Sequence, residues 1–325
     1  MATVFIDGES GTTGLRLKHR LATRSDVTII SLPADERRHR DARLSAMAKA
    51  EVTVLCLPDE AAREAVALAN QTKTRVLDAS SAHRVAEGWV YGMPELQSSQ
   101  VGLIHQANRV SVPGCHATGM IMLTAPLRRQ GILTKDITLC VTSLTGYTGG
   151  GKSMIATYES SDRMPHDALS LPKPYALGQH HKHLPEVMRY AELSRAPVFV
   201  PMVCDTPCGM LVSIGLDLGV LGVTKEDVVT CLSEAYQGYP TVTVPTDDEA
   251  LPAMNSLAGF DDIRLSVYGD NERVTLMALY DNLGKGASGT ALQCLNVMLG
   301  LEPTAGLVLS HAKSLTTRQT AFNQF

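Results

Sequence analysis

Thr3-Val-Phe-Ile-Asp7-Gly8-Glu-Ser-Gly11-Thr12-Thr13-Gly14-Leu15-Arg-Leu-Lys-His-Arg-Leu21 reads as a short buried-type strand, a glycine loop and a helix. That order points to a dinucleotide-binding unit. Glycines there allow a tight turn and let the backbone approach a pyrophosphate, which then sits at the helix N-terminus. The spacing is G-x-x-G-x-x-G, a variant of the commoner fingerprint.

Downstream, Asp26-Val-Thr-Ile-Ile-Ser-Leu32 is a second strand, and Val52-Thr-Val-Leu-Cys-Leu-Pro58 and Arg75-Val-Leu-Asp78 are a third and fourth. Residues 59–71 between the last two have helical spacing with good helix formers. This alternation predicts a mostly parallel, doubly wound sheet. After the second strand, Asp35 and Glu36 suit a ribose hydroxyl, whereas Arg37, Arg38 and Arg40 suit a 2′-phosphate, which favours NADP. A solvated charge run accounts for the same residues. Asp78-Ala-Ser80-Ser-Ala-His83-Arg84 closes the fourth strand with polar groups at the carboxyl end, where ligands bind in open α/β sheets. Arg84 is a candidate anion clamp there. Trp89-Val-Tyr91-Gly92-Met93-Pro94-Glu95 reads as a loop, with Glu95 in a structural role.

Ser111-Val-Pro113-Gly114-Cys115-His-Ala-Thr-Gly119 then leads into the apolar run Met120-Ile-Met-Leu-Thr-Ala, read as a helix. A cysteine at a strand-to-helix turn has its sulfur at the positive helix end, which favours thiolate and makes it a nucleophile. A small buried hydrophobe is the other reading.

Length and composition set outer limits. A chain of 325 residues is long enough for two domains. With 44% hydrophobic and 19% charged residues it is a globular composition, and a net charge of −4 offers no footprint for nucleic acid. The first residues show no basic n-region or cleavage site, so no signal peptide is expected. Residues 210–223, the most apolar long stretch, are broken by Asp217 and three glycines, which argues against a membrane span. Seven scattered cysteines fit reduced thiols in a cytoplasmic protein, with Cys56 and Cys294 in the core.

In the second half, Asp136-Ile-Thr-Leu-Cys-Val-Thr-Ser143 reads as a strand. Gly146-Tyr-Thr-Gly-Gly-Gly151-Lys152-Ser153 after it matches the P-loop pattern, in which backbone N–H groups and Lys152 hold phosphates and Ser153 holds magnesium. Its mid-chain position, and the lack of a later strand ending in an isolated Asp, speak against a nucleotide triphosphatase. Residues 161–176 read as an irregular loop. In Gly178-Gln-His180-His181-Lys182-His183-Leu-Pro185-Glu186, the last two residues suit a first helical turn, which puts the histidines at its start. Cys204-x-x-x-Cys208 is a weak partner for them, so no metal is expected. A histidine that exchanges protons with Cys115 is the other use of the cluster. Residues 197–201, 210–218 and 273–280 read as strands of a mixed sheet, a natural subunit interface, and 225–236 as an amphipathic helix. Asp281-Asn282-Leu-Gly-Lys285-Gly286-Ala-Ser-Gly289 is turn-rich, a helix follows over 290–299, and the tail from 311 is expected to be loosely held.

With Gly8/Gly11/Gly14, Pro113-Gly-Cys115-His-Ala-Thr-Gly119, His181-Lys-His183-Leu-Pro-Glu186 and Asn282-Leu-Gly-Lys-Gly-Ala-Ser-Gly289 together, the chain resembles the N-acetyl-γ-glutamyl-phosphate reductases over nearly its whole length. These are NADPH-dependent enzymes of arginine biosynthesis, and Asp78 to Arg84 and the compact length look like their shorter branch. The resemblance implies an α/β fold: an N-terminal Rossmann-type parallel sheet plus an α+β catalytic and oligomerisation domain with a mixed sheet. Residues 1–115, completed by about 285–325, would bind NADP, and residues 116–284 would form the other domain. It makes Cys115 the nucleophile that forms a thioester. A histidine of the His181/His183 pair becomes the acid/base, with His181 favoured because it precedes the helix. NADP(H) would be held by Gly8, Gly11, Thr12, Thr13, Gly14, Arg37 and Arg38, with Asn282 on the nicotinamide side. Ser80, Arg84, Lys152 and His183 would bind the acyl phosphate. A homodimer or homotetramer is implied, with no nucleic-acid or membrane partner.

The family's Ser-Gly-x-x-Gly-Ala-Gly-Arg loop corresponds to residues 143–152 here, which makes the P-loop match accidental; Lys152 keeps the charge without the bidentate fork of Arg. Met202 and Cys208 stand where the longer branch carries His and Arg. Aspartate-semialdehyde dehydrogenase, a non-catalytic NADP sensor and a P-loop NTPase are the alternative readings.

Overall fold

The computed structural model describes residues 1–164, 166–245 and 252–312. The chain forms two compact units, Met1–Pro113 with Ala287–Leu307, and Gly114–Gly286 with the segment from Val308. Sequence alone put the first boundary at 115 and the return at about 285–325; residues 308–312 belong instead to the second unit, where Val308 N and Ser310 N donate to the buried carboxylates of Asp261 and Asp262. Most of the tail expected to be loose, residues 313–325, lies outside the described residues.

The first unit runs β1 (Ala2–Asp7), α1 (Thr12–Ala22), β2 (Val27–Ile30), α2 (Arg40–Lys49), β3 (Val52–Leu55), α3 (Asp59–Ala69), β4 (Arg75–Asp78), β5 (Val90–Tyr91), α4 (Gln100–Gln106) and β6 (Arg109–Ser111). All six strands are parallel, in the order β2-β1-β3-β4-β6-β5. Such a sheet is covered on both faces, which is why its strands are continuous apolar runs. Alternate side chains of β1 go to opposite cores. Val4 and Ile6 meet Leu17 and Leu21 of α1, while Phe5 meets Met47, Leu55 and Ala62. The expected loop at Trp89-Val-Tyr91 contains β5, a two-residue edge strand too short to give a period. Glu95 is buried and accepts from Gln293 Nε2 at 2.8 Å. The closing helix Gly289–Met298 is buried along its whole length, Cys294 included.

The second unit runs α5 (Cys115–Arg129), β7 (Cys140–Gly146), α6 (Gly151–Tyr158), β8 (Lys173–Pro174), α7 (Leu184–Tyr190), β9 (Val198–Cys204), β10 (Met210–Asp217), α8 (Leu218–Leu221), α9 (Lys225–Ala235), β11 (Val242–Thr243), β12 (Ile263–Gly269) and β13 (Arg273–Tyr280). Its sheet is mixed, ordered β11-β12-β13-β10-β7-β9-β8. Strands β7, β9 and β10 alternate buried and more exposed residues, and α5 packs between the sheet and helices α7 and α9. The stretch 161–176 is less irregular than its prolines imply: Arg163 bonds both Asp167 and Asp205 and the Tyr158 carbonyl. Among the described residues no helix is long and apolar enough to cross a membrane.

Arg75, at the start of β4, holds the first unit's helix ends. Its guanidinium donates to the carbonyls of Ile104, His105 and Ala107 at the end of α4, and to that of Met298 in the closing helix. These are terminal carbonyls at the negative ends of two helix dipoles, and of them Ile104 O also accepts from Ala107 N at 3.3 Å. Arg75→Ala should therefore lower stability by about 2–3 kcal/mol, the scale for hydrogen bonds to a charged group. Urea unfolding followed through Trp89, the single tryptophan, reads this unit; an unchanged midpoint would show that the carbonyls find other donors.

Candidate active site

In the first unit the glycine loop has a local cause at each end. Gly8 sits at φ +89°, and a Cβ there would lie 2.3 Å from the Cys56 carbonyl oxygen. A Cβ on Gly14 would lie 2.5 Å from the Gly8 oxygen, so α1 can close onto the loop only without one. Gly11 N donates to Gly8 O at 3.0 Å and Gly11 caps α1, which begins at Thr12 and Thr13 with no side-chain cap and no acidic residue in its first turn. The positive end of α1 is thus left for an anion. Glu9 within the loop is buried and pairs with Lys18 at 2.8 Å and Arg37 at 2.6 Å. Arg37 and Arg38 line a cleft of about 160 Å³ with Gly8, Ser10 and Leu32. Burial and the carboxylates of Asp78 and Asp7 push the Cys56 thiol up to about 12, so it is inert.

At the carboxyl end of β4, Asp78 gathers the polar residues around itself. Its carboxylate accepts from Ser80 N at 2.9 Å and Ser80 Oγ at 2.7 Å, and lies 2.6 Å from His83 Nδ1. Ser80 Oγ also accepts from Ala82 N, so this hydroxyl orders the turn. His83 stacks on Trp89, with centroids 4.3 Å apart. Arg84 is buried rather than on the surface, and its Nε donates to Val112 O at 3.0 Å.

In the second unit Cys115 is the first residue of α5, with Gly114 as its N-cap. Three approaches fix it. Gly114 N donates to Glu186 Oε2 at 3.0 Å. The Tyr280 hydroxyl donates to Cys115 O at 2.6 Å and accepts from Gly119 N at 3.1 Å. A Cβ on Gly119 would lie 2.8 Å from that hydroxyl, and one on Gly286 would lie 3.0 Å from Cys115 Cβ. The glycines of both motifs are therefore spaces for Tyr280 and for the cysteine.

Around this turn the structure gathers His116, His181, His183, Tyr175 and Glu186. His116 and His181 have ring centroids 5.5 Å apart, and His181 and His183 4.6 Å. His181 is half-buried, and its Nδ1 accepts from His183 N at 3.2 Å. With Nδ1 an acceptor, the neutral ring carries its proton on Nε2. His183 is buried, with Nε2 4.0 Å from Glu186 Oε1. Burial first, and the neighbouring His181 second, push His116 down to about 3. Burial first, and the charge of Cys115 second, push the phenols of Tyr175 and Tyr280 upward. Among the described residues no group of three His, Cys, Asp or Glu is placed to hold a metal ion.

Two more of the expected residues belong to the second unit. Lys152 is exposed on α6. Asn282 is buried, donating to Thr148 Oγ1 at 3.1 Å and accepting from Gly209 N at 3.0 Å, so its amide clamps the loop after β7. The P-loop reading fails at that loop. Gly146 N, Tyr147 N and Thr148 N already donate to the carbonyls of Gly209, Thr206 and Pro207, which leaves those amides no phosphate to cradle. Of the residues the sequence did not single out, His116 and Glu186 lie inside quoted motifs. Ser143, Tyr175 and Tyr280 carry no local signal.

Residues 3–104 match the family described as semialdehyde dehydrogenase, NAD binding domain, and residues 115–282 match semialdehyde dehydrogenase, dimerisation domain. The chain is 44% identical to N-acetyl-gamma-glutamyl-phosphate reductase 2 of Pseudomonas putida, over 91% of this chain and 96% of that one. It is 45% identical to N-acetyl-gamma-glutamyl-phosphate reductase of Brucella canis, over 91% of this chain and 98% of that one. Among solved structures, aspartate semialdehyde dehydrogenase II of Vibrio cholerae superposes with a TM-score of 0.69 at 13% identity, covering 92% of this chain and 98% of that one. Aspartate semialdehyde dehydrogenase of Francisella tularensis gives 0.66 at 14%, covering 92% and 100%. At such identities the likeness is one of fold.

The carboxylate of Glu186 accepts from the N–H of Gly114, the residue that precedes Cys115. Glu186→Ala strands a buried donor, and should cost about 1–3 kcal/mol and speed exchange of the Gly114 amide hydrogen. Glu186→Gln, which keeps an acceptor oxygen, should lose less. Unchanged exchange in the Ala variant would show that the turn is held by other means.

Proposed function

The chain belongs to the semialdehyde dehydrogenase family, within its N-acetyl-γ-glutamyl-phosphate reductase branch, and from that premise we propose that it reduces N-acetyl-γ-glutamyl phosphate to N-acetylglutamate semialdehyde and phosphate with NADPH, a step of arginine biosynthesis. The observation that carries the reading is Cys115 at the first position of α5, followed by His116 and its cluster with His181. A thiol at a helix N-terminus beside an imidazole is equipped for nucleophilic attack on an activated acyl group.

The glycine loop fits a dinucleotide, because Gly8 and Gly14 let the loop close tightly against Cys56 and α1, and α1 starts with no side-chain cap and no acidic residue in its first turn. Gly11, Thr12 and Thr13 open that helix, and Arg37 and Arg38 supply the charge for a 2′-phosphate, which selects NADP(H). When bound, NADPH supplies hydride to the acyl carbon.

The remaining chemistry belongs to the chain. His181 takes the thiol proton as Cys115 sulfur attacks the acyl carbon. The tetrahedral adduct expels phosphate, which takes that proton, and a thioester remains. First-turn N–H groups of α5, where no side chain caps the helix, suit the developing oxyanion. After reduction, the thiohemiacetal breaks its C–S bond as the C=O re-forms, releasing the aldehyde and a thiolate that regains a proton from water through His181. In the second unit Lys152 is assigned by charge to an anionic group of the substrate and His183 as a hydrogen-bond partner; in the first, Arg84 and Ser80 keep the substrate roles that the resemblance gives them.

A homo-oligomer fits the dimerisation domain that residues 115–282 match, and we assign its contact to the open face of the second sheet. The face of β7, β9 and β10 turned away from α5 aligns Met202, Leu144 and Leu211 in one row, with Val200 and Val198 beside them. Apolar side chains in register across three strands, half-buried apart from the exposed Val198, form a surface for a second copy.

With N-acetylglutamate semialdehyde and phosphate, the protein should reduce NADP⁺, read as absorbance of the reduced coenzyme; aspartate semialdehyde in its place should give little. Activity with the latter alone would move the chain to the sibling chemistry. Cys115→Ser should lose at least about 10³-fold in kcat with NADPH affinity kept, and near-normal turnover would rule out the thioester. Met202→Glu should shift the mass in solution to that of the monomer without loss of secondary structure. An unchanged mass would place the contact on another surface.

A further inference from the structure

A line of three side chains in the second unit, with His116 at its centre, is given no step in the chemistry above. Ser143 Oγ lies 2.7 Å from His116 Nδ1, and His116 Nε2 lies 2.7 Å from Tyr175 Oη. A neutral imidazole donates from one nitrogen and accepts at the other, so the line has two possible directions.

The buried serine decides between them. Ser143 is fully buried on β7, and among the described residues its hydroxyl has one partner, His116 Nδ1. Were Nδ1 protonated, the serine O–H would be a buried donor with no acceptor, which interiors avoid. The serine therefore donates to Nδ1, the ring proton sits on Nε2, and Nε2–H donates to the phenol oxygen. That direction leaves the Tyr175 proton unspent, since His116 Nε2 is the phenol's one hydrogen-bond partner among the described residues. Tyr175 is half-buried, stands against His181 with centroids 5.8 Å apart, and feels the charge of Cys115.

We propose that Tyr175 is a catalytic residue whose O–H, oriented by Ser143 and His116, donates a hydrogen bond to the oxygen of the acyl carbon bonded to Cys115. The proposal rests on the thioester reading above. As the thiohemiacetal forms, its oxygen gains the negative charge that the phenol stabilises; as the C–S bond breaks, the C=O returns and the phenol keeps its proton throughout. The environment suits a donor that never titrates. Burial and the Cys115 charge push the Tyr175 phenol upward, while burial holds His116 down at about 3, so the ring remains a neutral connector. Successive donors in such a chain polarise one another, which strengthens the last bond. Ser143 and His116 are positioning residues in this scheme.

The direction of the line can be read in the wild-type protein, without any variant, from the ¹⁵N shifts of the His116 ring. A pyrrole-type Nε2 and a pyridine-type Nδ1 are expected, with the preference lost in Ser143→Ala; a protonated Nδ1 in the wild type overturns the proposal. Tyr175→Phe should lower kcat about 10²-fold or more, the loss typical of one oxyanion donor. KM for NADP⁺ and the rate of Cys115 alkylation by iodoacetamide should stay within twofold. A kcat within threefold of wild type overturns the proposal, and so does a matching loss of alkylation, which would make the phenol a support for the thiol. Wild-type protein with no phosphate-dependent NADP⁺ reduction would instead sink the reaction assigned above, and the ring shifts would then judge the hydrogen-bond line alone.

Discussion

Two peptide groups flank the Cys115 sulfur, and the second unit is built to hold both of them. Helix α7 delivers Glu186 to the N–H of Gly114, and β13 ends by placing the Tyr280 hydroxyl between Cys115 C=O and Gly119 N–H. The turn after β13 then brings Gly286 against the cysteine. That turn is held by Asp281, whose carboxylate accepts from Leu283 N, Gly284 N and Gly259 N. A nucleophile at a helix start is exposed to fraying, because the first turn lacks its own hydrogen bonds. Here the bonds come from elements far away in the chain. The sulfur's position is thus set by tertiary structure and not by the helix alone.

The histidine cluster shows the same economy with charge. Rings with centroids 4.6 to 5.6 Å apart cannot all be charged, since each imidazolium raises the cost of the next. Burial settles His116 as the uncharged member, pushed down to about 3. His183 is buried beside Glu186, and His181 is the ring with solvent access. Of the three, His181 alone is partly open to solvent, which the acid/base role proposed for it requires.

Much of the first unit was legible because its causes are local. Val4 to Ile6, Val52 to Leu55 and Val76 to Leu77 are continuous apolar runs, and Gly8 and Gly14 are required by φ or by contacts within one loop. β5 escaped because two residues give no period, and the return of the chain near 307 is set by Asp261 and Asp262, with no mark in the sequence around it. In the site, Pro113-Gly114 and the apolar run from Met120 marked a strand-to-helix turn at Cys115, and the helix itself starts earlier than that run, at Cys115. The supports of that turn carried no such mark, because their partners are remote. Ser143 and Tyr175 lie 27 and 59 residues from His116, Glu186 lies 72 from Gly114, and Tyr280 lies 165 from Cys115. A pattern read over a window of one or two turns cannot register them.

The two glycine loops make the same point from opposite sides. Residues 146–153 carry the letters of a phosphate-binding loop, yet their first three amides are bonded to carbonyls of residues 206–209. Residues 8–14 depart from the usual spacing, yet they lead into a helix whose first turn is uncapped. An anion site is defined by where the amide hydrogens are free to go, and the spacing of glycines only permits that freedom. Asn282 completes the contrast. The resemblance placed it toward a cofactor; its amide joins Thr148 to Gly209 and closes the loop that imitates a phosphate site. Two motifs that the sequence keeps 130 or so residues apart are therefore one hydrogen-bonded structure. In it Asn282 secures the 146–150 turn, while Gly286 lies against the cysteine.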